Sequence, residues 1–583
     1  MVLLLRLLAL PIALVLLLAG AAMLVPAERL ARHAAGAVEA ATGLAVAWTG
    51  PVRLAAWPPG LELRDVRAEG PGAAADVARV GLAIDPAALL RGELRLARVH
   101  LAGARAVVRD GGGLAALQAA ARLDRLEVAG ATLEVDGAHG TARFRAVELD
   151  LRRDGRGTRF EASALTREGA VVAGGRTDDL AALLGGALQP VTLSLRAGGT
   201  ALTLDGRAGV APLAFDGTLD LFTDDRLAGL GLPRTAPPEG FGRRRAALVA
   251  AATLAPDGAL HLRGLDLALD GNRFTGEADL RLEGARPRLV ARLEAPSLDL
   301  DAFSRRGGGG RSLLVSERGW ARRPFQASVL EAADLDVALR TGPVSLGAAT
   351  VDAARLRLSA EGGTALLRAE ELRLYGGTAA GTLRLAPAAR GVAVELAADL
   401  RGVAAGPMLA DWAGVTAFDA PLDARAALAG GGADAAALVA DLAGTLEARF
   451  ATGALHGADL PEMAVTGRAV AGGATPVHGA DTRWRVDGGT MSGDVGLRGP
   501  RRSFRGGGTV DLAARRVDLR LVPEGGGAAI AVAGPWRAPR VAPEAPPPAA
   551  VPQPVPAPDP AGVASDAPVV PAAARDVELM RAD

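Results

Sequence analysis

The chain is 583 residues long, with 65 Lys+Arg against 65 Asp+Glu and no cysteine. No lysine occurs either, so every basic residue counted there is arginine. This composition excludes disulfides, thiolate metal sites, a cysteine nucleophile, a Schiff-base lysine and the lysine of a phosphate-binding loop. The balanced, scattered charge argues against a nucleic-acid partner.

Taken in chain order, the first feature is Leu7 to Pro26, LLALPIALVLLLAGAAMLVP, twenty residues without a charge. A helix of that length crosses a bilayer core of about 30 Å, so residues 1–26 read as one transmembrane anchor. Ala19-Gly20-Ala21 is a small-residue pattern of the kind a signal peptidase cuts, and a cleaved leader is the alternative. Pro26–Ala41 follows as a helix that Gly43 ends. Further short helices are expected at Asp85-Pro86 to Gly92, Leu114–Leu123, Asp178–Leu184, Pro407–Ala413 and Asp434–Leu442.

Between these pieces the dominant period is two. LELRDVRA from Leu61, LHLRGLDLALDGNRF from Leu260, ADLRLEG from Ala278 and VDLRLV from Val517 all alternate apolar and charged residues. Side chains at i and i+2 share one face of a strand, so these runs describe antiparallel sheet, dry on one side and wet on the other. Asp270-Gly271-Asn272 and Glu361-Gly362-Gly363 are hairpin punctuation. Gly-Thr pairs at 140, 217, 381, 444 and 508 are each expected to open a strand. From about Val541 the chain turns proline-rich, where neither helix nor sheet propagates.

Roughly thirty strands at about 4.8 Å spacing make a sheet on the order of 140 Å across. Its leucine face cannot stay in water at about 25 cal/mol per Å², and the helices are too few to cover it. Three solutions remain open: a second sheet packed face to face, a closed barrel, or a curled trough filled by an apolar ligand. For the trough, the alternating leucines Leu280, Leu282, Leu372, Leu374, Leu383 and Leu385 are the candidate lining residues.

Catalytic constellations are not evident. Tyr375, the sole tyrosine, leaves its strand with the parity of Glu371 and Arg373, and reads as a packing residue on the wetter face. Gly376-Gly377 has no following helix of the kind a phosphate loop needs. The six histidines show no metal-ligand spacing. Asp178-Asp179 and Asp224-Asp225 are explained by capping and turns. No catalytic residue, cofactor or metal is assigned, and the chain is not expected to be an enzyme.

Several stretches carry a resemblance. TGLAVAWTGPVRLAAWPPGLELRDVRAEG from Thr42 and VARVGLAIDPAALLRGELRLARVHLAGARAVV from Val77 resemble the start of AsmA-family proteins. ELRLYGGTAAGTLRL, RGVAAGPMLADWAGV, ADAAALVADLAGTLEARFATGALHGADL and GGGTVDLAARRVDLRLVP are similar, in order, to that family's C-terminal domain. The resemblance implies a mostly β protein, an elongated and curled antiparallel β-groove with a few short helices behind one N-terminal transmembrane helix. The implied organisation is an anchor (1–26), an N-terminal β domain (27–302), a Gly/Arg-rich linker (303–324), a C-terminal β domain (325–540) and a proline-rich disordered tail (541–583). It further implies a single-pass inner-membrane protein, periplasmic in bulk, that binds and transfers phospholipid toward the outer membrane in outer-membrane biogenesis. Its implied partners are phospholipid, the inner membrane and outer-membrane or assembly proteins. The alternative is a scaffold for outer-membrane protein assembly that carries no lipid.

Overall fold

The computed structural model describes residues 27–544, apart from 56–58, 71, 86–90, 92–95, 110–112, 138–139, 168, 225–243, 283, 285, 302–314, 317–318, 323, 326–332 and 471. The expected anchor at 1–26, the tail beyond Glu544 and the helix expected after Asp85 fall outside the described residues. Among the described residues no helix is long and apolar enough to cross a membrane.

The period-two pattern becomes one sheet of 29 strands. Hydrogen-bonded pairing follows chain order from Gly60–Gly70 to Arg540–Pro543. Ala45–Trp48 and Arg53–Ala55 lie end to end against Gly60–Gly70 and form one edge. Arg540–Pro543 forms the other. No pairing joins the two edges among the described residues, so the sheet is open. With 28 positions side by side it extends about 130 Å along the hydrogen-bonding direction.

Nearly all neighbours are antiparallel, as hairpins require. Asp270-Gly271 and Gly362-Gly363 take positive φ at both turn residues, the two-residue hairpin geometry that matches strand twist. Two junctions are parallel. Leu96–Val108 pairs with Arg125–Gly137 across a crossover that contains a helix, and Arg288–Ala295 pairs with Asp334–Thr341. The second junction carries the same sheet past residues 303–324.

The Gly-Thr pairs behave differently from expectation. Gly140-Thr141 and Gly444-Thr445 sit at strand starts, but Gly217-Thr218, Gly381-Thr382 and Gly508-Thr509 lie inside strands. The reason is close backbone approach. Gly217 pairs directly with Gly206, and a Cβ added at Gly217 would stand 2.3 Å from the Asp205 carbonyl oxygen and 2.5 Å from the Gly206 Cα. Glycine there lets neighbouring strands bend against each other.

Among the described residues six helices decorate the sheet: α1 (Ala27–Thr42), α2 (Gly113–Ala120), α3 (Leu180–Leu184), α4 (Ala405–Ala413), α5 (Ala435–Ala440) and α6 (Leu460–Thr466). Gly43, at φ +69°, ends α1 as the sequence indicates. Asp179 and Asp434 cap α3 and α5 by accepting from the N–H groups of Ala182 and Ala437. The sequence reading did not include α6. Its signal was present in Asp459-Leu460-Pro461-Glu462, a cap with an early proline, where Asp459 accepts from the Glu462 N–H at 3.1 Å.

Buried clusters lie along the whole sheet, its middle included, where Phe215, Ala250, Leu262, Leu265 and Ala291 are buried together. Near its start, Ala31 of α1 packs on Leu61, Leu63, Val66 and Val77. Near its end, Leu460 and Met463 of α6 pack with Leu497, Phe504, Leu521 and Ile530.

Candidate functional site

Pairing register fixes which side chains share a face, because residues directly opposite each other point the same way. Leu383 stands between Leu367 and Leu396. Its row continues to Leu358 and Val337 on one side and to Leu428 on the other. Leu385 stands between Ala365 and Val394. Leu280 stands between Leu260 and Leu289, and Leu289 faces Leu335. Leu372 pairs with Ala354 and Ala379, and Leu374 with Gly377. Tracing these registers puts all five leucines on one face of the sheet.

Leu282 is placed differently. Its strand ends at Arg281, and Leu282 lies one residue beyond it, 61% exposed. It keeps the parity of Leu280 but stands at the margin of the face, outside the paired rows.

A bulge brings the set together. Leu367 and Ala369 are odd-numbered, whereas Leu372 and Leu374 are even, and strict alternation would send them to opposite faces. The register shifts between Ala369 and Leu372, so Glu370-Glu371 absorbs one extra residue. The doubled glutamate in LLRAEELRL was the sequence signal. Leu358, Leu367, Leu396 and Leu428, absent from the sequence candidates, belong to the face equally.

The chemical character of this face is uniform. Along the whole sheet, charged residues and histidines with cross-strand partners stand at the opposite parity. The exception is Arg153 at a strand end, where it pairs with Asp124 at 3.1 Å. The apolar side chains are also incompletely covered: Leu202, Leu204, Leu219, Leu367 and Leu383 are only half-buried, and Leu396 is 37% exposed. In a two-layer sandwich such side chains would be buried under the facing layer.

The opposite face is a ladder of ion pairs. Asp279 accepts from Arg263 and faces the His261 imidazole, both at 2.7 Å; the Arg263 bond and then the His261 contact hold its carboxyl below the usual range. Asp399 is lowered likewise by Arg425 at 3.0 Å and Arg401 at 3.2 Å. Arg357 grips both oxygens of Asp336 at 3.1 and 3.0 Å. These pairs are exposed and individually worth little; together they keep that face in water. A hollow of about 1230 Å³ lies on this side, walled by residues such as Arg425, Glu447, Arg449 and Asp481. An apolar ligand there would strip water from ion pairs, so the hollow does not suit one.

Tyr375 has a structural role. It occupies the first position of a two-residue turn with φ +47°, unusual for a non-glycine residue. Its backbone carbonyl accepts from the Ala404 N–H at 3.0 Å. Its hydroxyl donates to Asp411 at 2.9 Å and accepts from the Trp412 indole N–H at 3.2 Å. Burial first, then the Asp411 bond, pushes the phenol above its usual range. The side chain pins α4 to the hairpin.

The apolar face can hold hydrocarbon, and among the described residues its paired rows carry no carboxylate or histidine. Comparison with known proteins adds one finding: a match to the AsmA family covers residues 227–494, from the segment before the strand Ala246–Leu254 into the strand Thr490–Arg498. No curated protein and no solved structure matches.

Proposed function

Because the chain belongs to the AsmA family, we propose that it is a non-enzymatic lipid carrier of the bacterial envelope. In this reading residues 1–26 anchor it in the inner membrane, and the sheet stands in the periplasm as a curled groove. Phospholipid is the cargo, moved toward the outer membrane in outer-membrane biogenesis. The observation that carries the reading is the continuous apolar face, with Arg153 its one charged residue among the paired described residues and with Leu367, Leu383 and Leu396 left partly uncovered. Acyl chains on that face exchange bilayer hydrocarbon for protein hydrocarbon at little transfer cost. The headgroup remains at the wet boundary.

The buried clusters along the sheet support the alternative, a scaffold for outer-membrane protein assembly. The partly open leucine row through Leu367, Leu383 and Leu396 favours the carrier. The test is transfer. The full chain, reconstituted in donor vesicles, is expected to accelerate movement of a fluorescent phospholipid to acceptor vesicles at least tenfold over protein-free vesicles. A rate no faster than spontaneous exchange would count against lipid carriage.

A further inference from the structure

We propose, resting on the lipid-carriage reading, that acyl chains reach the apolar face sideways, over a margin formed by Val210, Leu213 and Leu282, and not from the end of the sheet beside the N-terminal segment. The first observation is that this end is covered. Ala31 of α1 is 1% exposed and seated among Leu61, Leu63, Val66 and Val77, all buried. These residues hold the parity of the apolar face, so α1 fills the position an end-on lipid would need.

The second observation concerns the two margins. Phe215 shares a row with Leu254, Leu260 and Leu280. Leu213 lies two residues beyond Phe215, and Leu282 two beyond Leu280, so both continue the apolar face outward at the same margin. Each is 61% exposed, and Val210, paired with Leu213, is 37% exposed. The apolar surface thus spills over this edge into solvent.

The opposite margin is sealed with polar groups. Thr200, Thr223, Asn272 and Thr341 are buried there. The hydroxyls of Thr200 and Thr223 bond at 2.9 Å. The Asn272 side chain donates to the Asp299 carbonyl at 3.0 Å and accepts from the Asp299 N–H at 2.7 Å. That pair of hydrogen bonds of Asn272 fastens a small sheet of Leu298–Asp299, Val344–Leu346 and Ala349–Val351 to the margin. A hydrocarbon chain crossing here would have to part buried hydrogen bonds, whereas among the described residues no side-chain hydrogen bond lies at Leu213 or Leu282.

The test is photo-crosslinking of the full chain in bacterial membranes, with p-benzoylphenylalanine placed singly at Leu213, Leu282, Leu383 or Leu82. Leu82 pairs with Leu61 under α1 and samples the covered end. Phospholipid adducts are expected at Leu213, Leu282 and Leu383, with the yield at Leu82 at least tenfold lower. Equal yields at Leu82 and Leu383, or labelling at Leu383 with none at Leu213 and Leu282, would overturn the side entry. Leu213→Asp combined with Leu282→Asp changes two side chains already in water, and should cut the Leu383 adduct at least fivefold. An unchanged adduct would overturn the proposal as well. No phospholipid at Leu383 in the wild-type background would instead refute lipid carriage itself.

Discussion

Replacing Leu383 with aspartate is expected to slow phospholipid transfer at least tenfold while the chain still folds. Leu383 sits mid-strand on the apolar face, with Leu367 on one side and Leu396 on the other. The side chain is half-buried, so a carboxylate there keeps part of its hydration and strand pairing survives. Once an acyl chain covers the position, that hydration is lost, and an unpaired buried carboxylate costs several kcal/mol. A factor of ten in rate needs only about 1.4 kcal/mol, so the charge acts as a barrier across the path. The control is the adjacent Arg384→Gln, on the charged face, where Arg384 meets Glu395 at 3.3 Å in an exposed pair. Transfer by that variant should stay near wild type. Equal transfer by the Leu383 and Arg384 variants would mean that the assigned face does not carry lipid.

The second large effect is on stability. Phe504→Ala is expected to destabilise the last strands by about 3–5 kcal/mol, the range for truncating a buried phenylalanine. Phe504 is fully buried between Leu497 on its neighbouring strand and the helix α6, with Met463, Leu521 and Ile530 in the same cluster. Each strand touches mainly its two neighbours, so stability propagates locally, as in repeat proteins. Urea unfolding followed by circular dichroism should therefore show a separate early phase of small amplitude, leaving the main transition in place. A loss below about 1 kcal/mol would contradict the packing assigned to α6.

Much of this architecture was legible in the sequence, for identifiable reasons. Alternation in LHLRGLDLALDGNRF gave both the strands and the turn, since Asp270-Gly271 takes the positive φ values that a two-residue hairpin needs. The short helices showed through their aspartate caps, with Asp179 and Asp434 bonding as expected. Register was harder to read. One extra residue at Glu370-Glu371 decides whether Leu372 and Leu374 join Leu367 or oppose it, and alternation alone carries no count of bulges. The interior Gly-Thr pairs were misread as strand starts, because a glycine needed for close approach of strands looks like one needed for a turn. Leu282 followed the alternation but outran its strand, which ends at Arg281. The covering of the first strands by α1 was not legible, because amphipathic periodicity does not name the surface a helix will meet.

The ion-pair ladder and the apolar rows are two consequences of one pattern. Arginine and aspartate at one parity leave mostly apolar and small residues at the other, and the pairing register carries that division from strand to strand. A protein that only needed a stable sheet could have buried the second set under a facing layer. Here the row through Leu367, Leu383 and Leu396 is left partly open, and it is this incomplete burial that the proposed cargo explains.

The most direct measurement is native mass spectrometry of the full chain, released from micelles of a detergent chemically unlike phospholipid. The account predicts a ladder of masses spaced by single phospholipids, with several bound per chain. A folded protein that appears at one lipid-free mass would contradict it, and would leave the half-exposed leucine rows to be covered by a protein partner.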